Sequence, residues 1–219
     1  AEVRSAAAEP LLVWSIEVDN RSDRRLTLVR FPRIAAVPAI GEAEDDFLVL
    51  PALPGTLIDN PAAAWPSGYS VALPYPGSLS AQFLTYQDRR AGVYLASRDV
   101  AGHAMAWCAA RRGEGFLLWH EFKPLANPEA RWTSPYPVVL GVTQGTWQQS
   151  ADRYKQWAVR QPWCAKTLAQ RDDVPDWWKA GPGVHVCEVR TYDKDRVCNG
   201  SYYPKLLDHL RIFRRNIDG

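Results

Sequence analysis

The side chains able to do chemistry in this sequence are few, and most stand in settings that give them another task. His120 and Glu121 have the types of an acid/base couple, but they are adjacent in a strand-like run at residues 116–122 and so face opposite ways. They read as structural. His185 lies inside an apolar run and reads as a satisfied core histidine. The clearest chemical bias is aromatic, with ten Trp and nine Tyr beside a single Met. Such rings fill cores, and they also stack on the apolar faces of sugars while their polar edges stay wet. Trp107, Trp119 and Trp132 can form a stacking platform of that kind, or Trp107 and Trp119 can fill a core from neighbouring strands.

Other chemistries are excluded at the level of motifs. The chain has no G-x-S-x-G elbow, no P-loop and no H-E-x-x-H, and Gly113-Glu114-Gly115 sits in a turn, far from a dinucleotide fingerprint. Cys108, Cys164, Cys187 and Cys198 lie far apart with no C-x-x-C pair, so no thiolate metal site is expected and no cofactor is implied. Disulfides and buried free thiols both stay open for them. Lys and Arg total 26 against 24 Asp and Glu, and the net charge of +2 contains no basic block, which argues against nucleic acid as a partner. No apolar run approaches the roughly 18 to 20 residues that span a bilayer, so no membrane partner is expected. Residues 1–10 lack the order of a signal peptide. A precursor can already have lost one, which leaves a secreted or periplasmic location open.

These side chains need elements to place them. With 219 residues, 47% of them hydrophobic, the chain can bury one large core or two smaller ones. Residues 14–19 alternate apolar and polar as a half-buried strand, residues 20–23 are turn-rich, and residues 25–31 read as a second strand. The two are expected to form an antiparallel hairpin. Residues 35–68 hold many of the 17 prolines around a short apolar run at 47–50 and are expected to be irregular. Strand-like runs follow at 69–75, 79–86, 92–97, 103–110 and 116–122, with apt turns at 88–92, 99–102 and 112–115. This rhythm predicts an antiparallel meander within a large sandwich, to which residues 136–144 add a strand.

At Gly145 the period changes. Thr146 and Gln149 fit a capping box, and Trp147, Ala151, Tyr154 and Ala158 recur at helical spacing, predicting an amphipathic helix of about four turns that ends near Gln161-Pro162. Residues 167–179 read as a linker. Residues 184–189 are apolar enough for a strand buried on both faces, 191–203 form a loop, and Pro204 opens a helix with Leu206, Leu210, Phe213 and Ile217 along one side. A β/α unit of this kind needs parallel neighbours. They are expected from another segment or chain, the alternative being that the strand pairs with the sandwich itself.

Gln82-Phe83-Leu84-Thr85-Tyr86 with Asp88, Gly92-Val93-Tyr94-Leu95, Tyr136-Pro137-Val138, and Gly145-Thr146-Trp147 leading into Ala151, Tyr154 and Trp157 form a pattern that Asp173, Pro175 and Trp177 complete. The pattern resembles uncharacterised bacterial glycoside hydrolases with a galactose-mutarotase-like supersandwich before a (β/α)8 barrel, a family distantly similar to endo-α-N-acetylgalactosaminidases. The resemblance covers nearly the whole chain, and its motifs are structural, none of them a catalytic signature. It implies a mainly β chain: a large antiparallel β-supersandwich over residues 1–145, a linking helix and linker over 146–180, and the first β/α unit of a truncated (β/α)8 barrel over 181–219.

The implied activity is hydrolysis of glycosidic bonds in oligo- or polysaccharides by the parent protein, with the remainder of the catalytic barrel as a partner. Such hydrolysis uses two carboxylates at the carboxyl ends of barrel strands, about 5 to 5.5 Å apart for retention or about 6.5 to 9.5 Å for inversion. Glu188 and Asp193 are five positions apart, so along an extended strand they point to opposite faces and make a poor pair. No catalytic residue is therefore assigned within the chain, and no hydrolysis is expected of it alone. Tyr192 and Asp193 follow the first barrel strand and are the candidates to hydrogen-bond a sugar hydroxyl. The alternative function is a non-catalytic carbohydrate-binding β-sandwich module, in which the aromatic excess is the working feature.

Overall fold

The structure, a computed structural model, describes residues 2–5, 11–53, 55–180, 191–192, 198–199 and 211, with only the backbone at 2–5, 36, 191–192 and 198–199. The chain divides into two compact units, Ala1–Ala165 and Lys166–Gly219.

The first unit is built from β1 (Glu2–Ser5), β2 (Leu11–Ser15), β3 (Glu17–Asp19), β4 (Val29–Val37), β5 (Phe47–Leu50), β6 (Thr56–Asp59), β7 (Ser70–Tyr75), β8 (Phe83–Gln87), β9 (Ala91–Ser97), β10 (Met105–Arg112), β11 (Gly115–Phe122), β12 (Arg131–Thr133) and β13 (Val138–Gln144). Seven strands form one sheet in the order β1-β2-β13-β9-β8-β5-β6, four form another in the order β4-β11-β10-β7, and β12 pairs with β3 as a ribbon. The pairings are antiparallel. The fold is thus mainly β with antiparallel sheets, in keeping with the period-two rhythm of the sequence.

Leu48, Leu84, Leu95 and Val138 from the larger sheet share one buried cluster with Trp107, Phe116, Leu118 and Phe122 from the smaller one. The two sheets therefore bury their facing side chains against each other as a sandwich, each large apolar side chain contributing roughly 1.5 to 3 kcal/mol. The larger sheet also buries part of its other face. Helix α1 (Pro61–Ala64) is a single turn capped by Asn60, and helix α2 (Trp147–Ala158) lays Ala151 and Tyr154 against Phe83, Tyr94 and Val139. Strands covered on both faces cannot alternate, which is why all five residues of β8 are buried.

A polar seam fixes α2 to the sheet. Ser150 Oγ donates to Gln87 Oε1 at 3.1 Å, and Gln87 Nε2 donates to the Gly145 carbonyl at 3.0 Å. Gly92, opposite Gln87, has no room for a side chain, since a Cβ there would lie 2.0 Å from the Gln87 Cβ. The β8–β9 hairpin needs glycine at this position for close approach.

Several expectations about local structure are corrected. The strand expected at residues 14–19 breaks at Ile16, whose N–H donates to Ser134 Oγ at 3.2 Å, so β2 stays in the larger sheet while β3 joins β12. The hairpin between 14–19 and 25–31 does not form, because the later strand, β4, lies in the smaller sheet against β11. Residues 35–68 are irregular only in part: β5 is wholly buried between β6 and β8, and its four residues were too few to show a period among the prolines around them. The expected meander is instead a pair of hairpins, β8–β9 and β10–β11, with the chain changing sheets before each of them.

At α2, Thr146 is the N-cap but its side chain makes no capping bond, and the Gln149 side chain lies over Gly145. The helix is 12 residues long and ends at Ala158, short of Gln161-Pro162. The reciprocal contact occurs further on, where Gln170 Oε1 accepts from the Thr167 N–H at 3.0 Å and from Thr167 Oγ1 at 3.1 Å.

In the second unit, helix α3 (Asp176–Lys179) is a single turn. Within the expected loop at 191–203, β14 (Thr191–Tyr192) pairs antiparallel with β15 (Cys198–Asn199). Residues 184–189, with His185 and Glu188, and the helix expected from Pro204, apart from helical Arg211, lie outside the described residues.

Candidate functional site

Among the described residues of the first unit, two of the hollows can hold a small molecule. One, about 330 Å3, lies beside α2 and is lined mainly by apolar groups such as Val49, Leu57, Phe83 and Trp147. The other, about 220 Å3, lies at the end of the sandwich where β10 starts and β11 finishes, and His103, Phe122, Lys123, Trp132, Pro135 and Tyr136 line it. Ligand sites combine apolar walls with a few converging polar groups that fix orientation. The second hollow has both and is the better candidate.

Its polar groups are held from behind. Asp99, almost fully buried, accepts from the backbone N–H groups of Ala101 and His103 and lies 2.8 Å from His103 Nδ1. Gln82 clasps the same loop through the Asp99 backbone, donating to its carbonyl at 2.9 Å and accepting from its N–H at 3.1 Å. With Nδ1 engaged, Nε2 is the His103 ring nitrogen left to serve a ligand. On the other wall, Lys123 Nζ donates to Glu121 Oε2 at 2.6 Å, while Arg30 Nε and Trp119 Nε1 donate to Oε1 at 3.0 and 3.2 Å. Burial pushes the Glu121 carboxyl up, but these hydrogen bonds outweigh it and hold its pKa below the ordinary value.

The floor is aromatic. Phe122 meets Trp132 edge-on with ring centroids 5.4 Å apart and meets Tyr136 at 5.0 Å, and His103 lies 5.7 Å from Tyr136. Burial, and then the charge of Asp99, raise the Tyr136 pKa, so its hydroxyl keeps its proton. Beneath it, His120 is fully buried, with Nε2 3.4 Å from the Tyr136 hydroxyl and its ring edge-on to Trp107 at 4.9 Å. Burial pushes its pKa down from 6.5 to about 3.

Because the unfolded chain regains the ordinary value, the folded state binds fewer protons between those limits. The contribution of His120 to stability is therefore complete above pH 6.5 and is lost as pH falls toward about 3. Denaturant midpoints measured across this window should fall less steeply for His120→Gln than for the parent, the difference reaching a few kcal/mol. Identical slopes would contradict the burial described.

The sequence candidates are distributed as follows. Trp107 and Trp119 pair with His120 and Cys108 across the β10–β11 register and point to opposite faces of the sheet, both buried. Only Trp132 of the trio reaches the cleft. His120 faces the interior and Glu121 the other side, so they form no couple. Tyr192 is described only as backbone in β14, and its side chain and Asp193 lie outside the described residues. Cys108 is a buried free thiol, pushed up to about 12 by burial, and Cys164 is free and exposed.

Among the described residues, no group of three or more His, Cys, Asp or Glu can hold a metal ion, and no helix is long and apolar enough to cross a membrane. Sequence reasoning missed Asp99, His103 and Lys123. The signal available for the first two was Asp99 opening a turn four residues before a histidine.

No curated protein matches the chain. Residues 132–197, from the ribbon strand that carries Trp132 through β13 and α2 into the second unit, match a family model described as Domain of unknown function (DUF6259).

Proposed function

We propose that this chain is the sandwich-bearing front part of a glycoside hydrolase, with the catalytic carboxylates outside it. The sandwich then corresponds to the galactose-mutarotase-like supersandwich, α2 to the linking helix, and the segment from residue 181 to the start of the (β/α)8 barrel. What supports the reading is the antiparallel sandwich followed by α2, together with the extent of a family match that itself names no activity. The match runs without a break from the last part of the sandwich to residue 197, as expected of a sandwich joined to a following domain by a shared connection rather than by an interchangeable tether. Tyr192 and Asp193 would there hydrogen-bond a sugar hydroxyl at the carboxyl end of a barrel strand.

The cleft favours a second reading, a carbohydrate-binding module, because it combines an indole with converging polar groups. It does not favour catalysis by the sandwich. Asp99 and Glu121 lie behind the basic groups they hold and are 1% and 7% exposed at their side chains, so neither reaches a sugar bound in the cleft. The folded 219-residue chain, incubated alone with a panel of aryl glycosides, should give no turnover. Turnover abolished by mutating one of its carboxylates would overturn the assignment of the carboxylates to other parts of the protein.

A further inference from the structure

The cleft carries more information than its aromatic floor. Besides Tyr136, the ionisable side chains that line it are Lys123 and His103, which are 38% and 46% exposed, whereas the carboxylates they pair with, Glu121 and Asp99, are 7% and 1% exposed. A ligand therefore meets an ammonium and an imidazole rather than the carboxylates that hold them. Lys has three N–H donors and one is engaged by Glu121. The remainder are left for a ligand at the cleft they share with Trp132, and His103 Nε2, with Nδ1 donating to Asp99, is left as an acceptor.

The volume, about 220 Å3, is below the roughly 300 Å3 at which sites for drug-sized ligands begin. One sugar ring is a suitable occupant, with the rest of its chain running past the open side. An indole suits the apolar face of that ring, and hydrogen bonds from a cation to a carboxylate are about twice as strong as those to a neutral hydroxyl.

We propose that this cleft is a binding site for a carboxylate-bearing sugar residue, such as a uronic acid, with Trp132 against the ring, Lys123 on the carboxylate and His103 Nε2 accepting from a sugar hydroxyl. The proposal rests on the carbohydrate reading above and not on hydrolysis. A residue of an acidic polysaccharide held here would tether the polymer on the sandwich.

The test uses the 219-residue chain with trigalacturonic acid and, as the neutral counterpart, galactotriose, read by calorimetry and by the tryptophan indole resonances in a nitrogen-15 spectrum. Trigalacturonic acid should bind about ten-fold more tightly, a difference of about 1.4 kcal/mol, and should shift the Trp132 indole resonance in the unmutated protein. Lys123→Met, checked for native circular dichroism, should bring the two affinities to within about two-fold, since it removes the charge-assisted contact, whereas His103→Ala should weaken both sugars and keep the preference for the acidic one. The spectrum of the parent protein keeps the site testable even if a variant fails to fold. Equal affinity for the two sugars with a Trp132 shift would overturn the acidic preference while leaving a carbohydrate site. No binding of either sugar, or binding that leaves Trp132 unmoved, would overturn the site itself, and hydrolysis by the full-length natural protein would be judged separately.

Discussion

Trp107→Ala is expected to lower the unfolding free energy by about 4 kcal/mol, the range for deleting a buried indole. Trp107 has no exposed surface. It lies in the cluster to which both sheets contribute, edge-on to His120, and next to it in register are Leu73 on β7 and His120 on β11. The loss combines the transfer of a large apolar surface to water with a cavity that two sheets held by backbone ladders cannot close. Urea denaturation followed by fluorescence of the remaining tryptophans measures it. A change under about 1 kcal/mol would mean that the indole is not in a packed interior.

Asp99→Ala should cost about 3 kcal/mol and, unlike Trp107→Ala, should also disable the cleft. The buried carboxylate serves the N–H groups of Ala101 and His103 and the His103 ring. Removing it breaks three hydrogen bonds to a buried carboxylate, and a hydrogen bond to a charged group contributes roughly 1.5 to 3 kcal/mol, less where the donor can turn to water. It also frees the His103 side chain to leave the cleft wall. The expected result is a denaturant midpoint well below that of the parent and, at temperatures where the variant stays folded, at least about ten-fold weaker binding of trigalacturonic acid. A variant that loses stability but binds as well as the parent would show that the Asp99–His103 pair serves the loop alone.

The strands read from period two, β7 to β11 and β13, were legible because their alternation, or their wholly apolar middles, survives in the sequence with turn residues between them. What was not legible is which strand pairs with which. Residues 14–19 look like one strand, and nothing in their alternation reveals that the chain leaves one sheet for another at Ile16, a break that depends on Ser134, 118 positions away. Phe47–Leu50 is too short to show a period, yet it lies inside the larger sheet. The helix beginning at Trp147 was legible from its apolar spacing. Its cap was not, since the Gln149 side chain is drawn over Gly145 instead of back to the N-cap.

The cleft shows the same limit more sharply. His103, Lys123 and Tyr136 come from three separate connections, and Phe122 and Trp132 from β11 and β12, all brought together by the β10–β11 register and by the passage from β12 to β13. In the sequence only Trp132 carried a hint, as one of an excess of indoles, and it shared that hint with Trp107 and Trp119, which the fold buries.

The most direct measurement of the proposed hydrolase reading is the release of new reducing ends from a panel of neutral and acidic polysaccharides by the longer, full-length protein that the reading requires, compared with the 219-residue chain at equal concentration. Release by the full-length protein and none by the chain is the predicted result. A folded full-length protein that binds these polysaccharides and cleaves none of them would contradict the glycoside hydrolase assignment and leave the binding reading in its place.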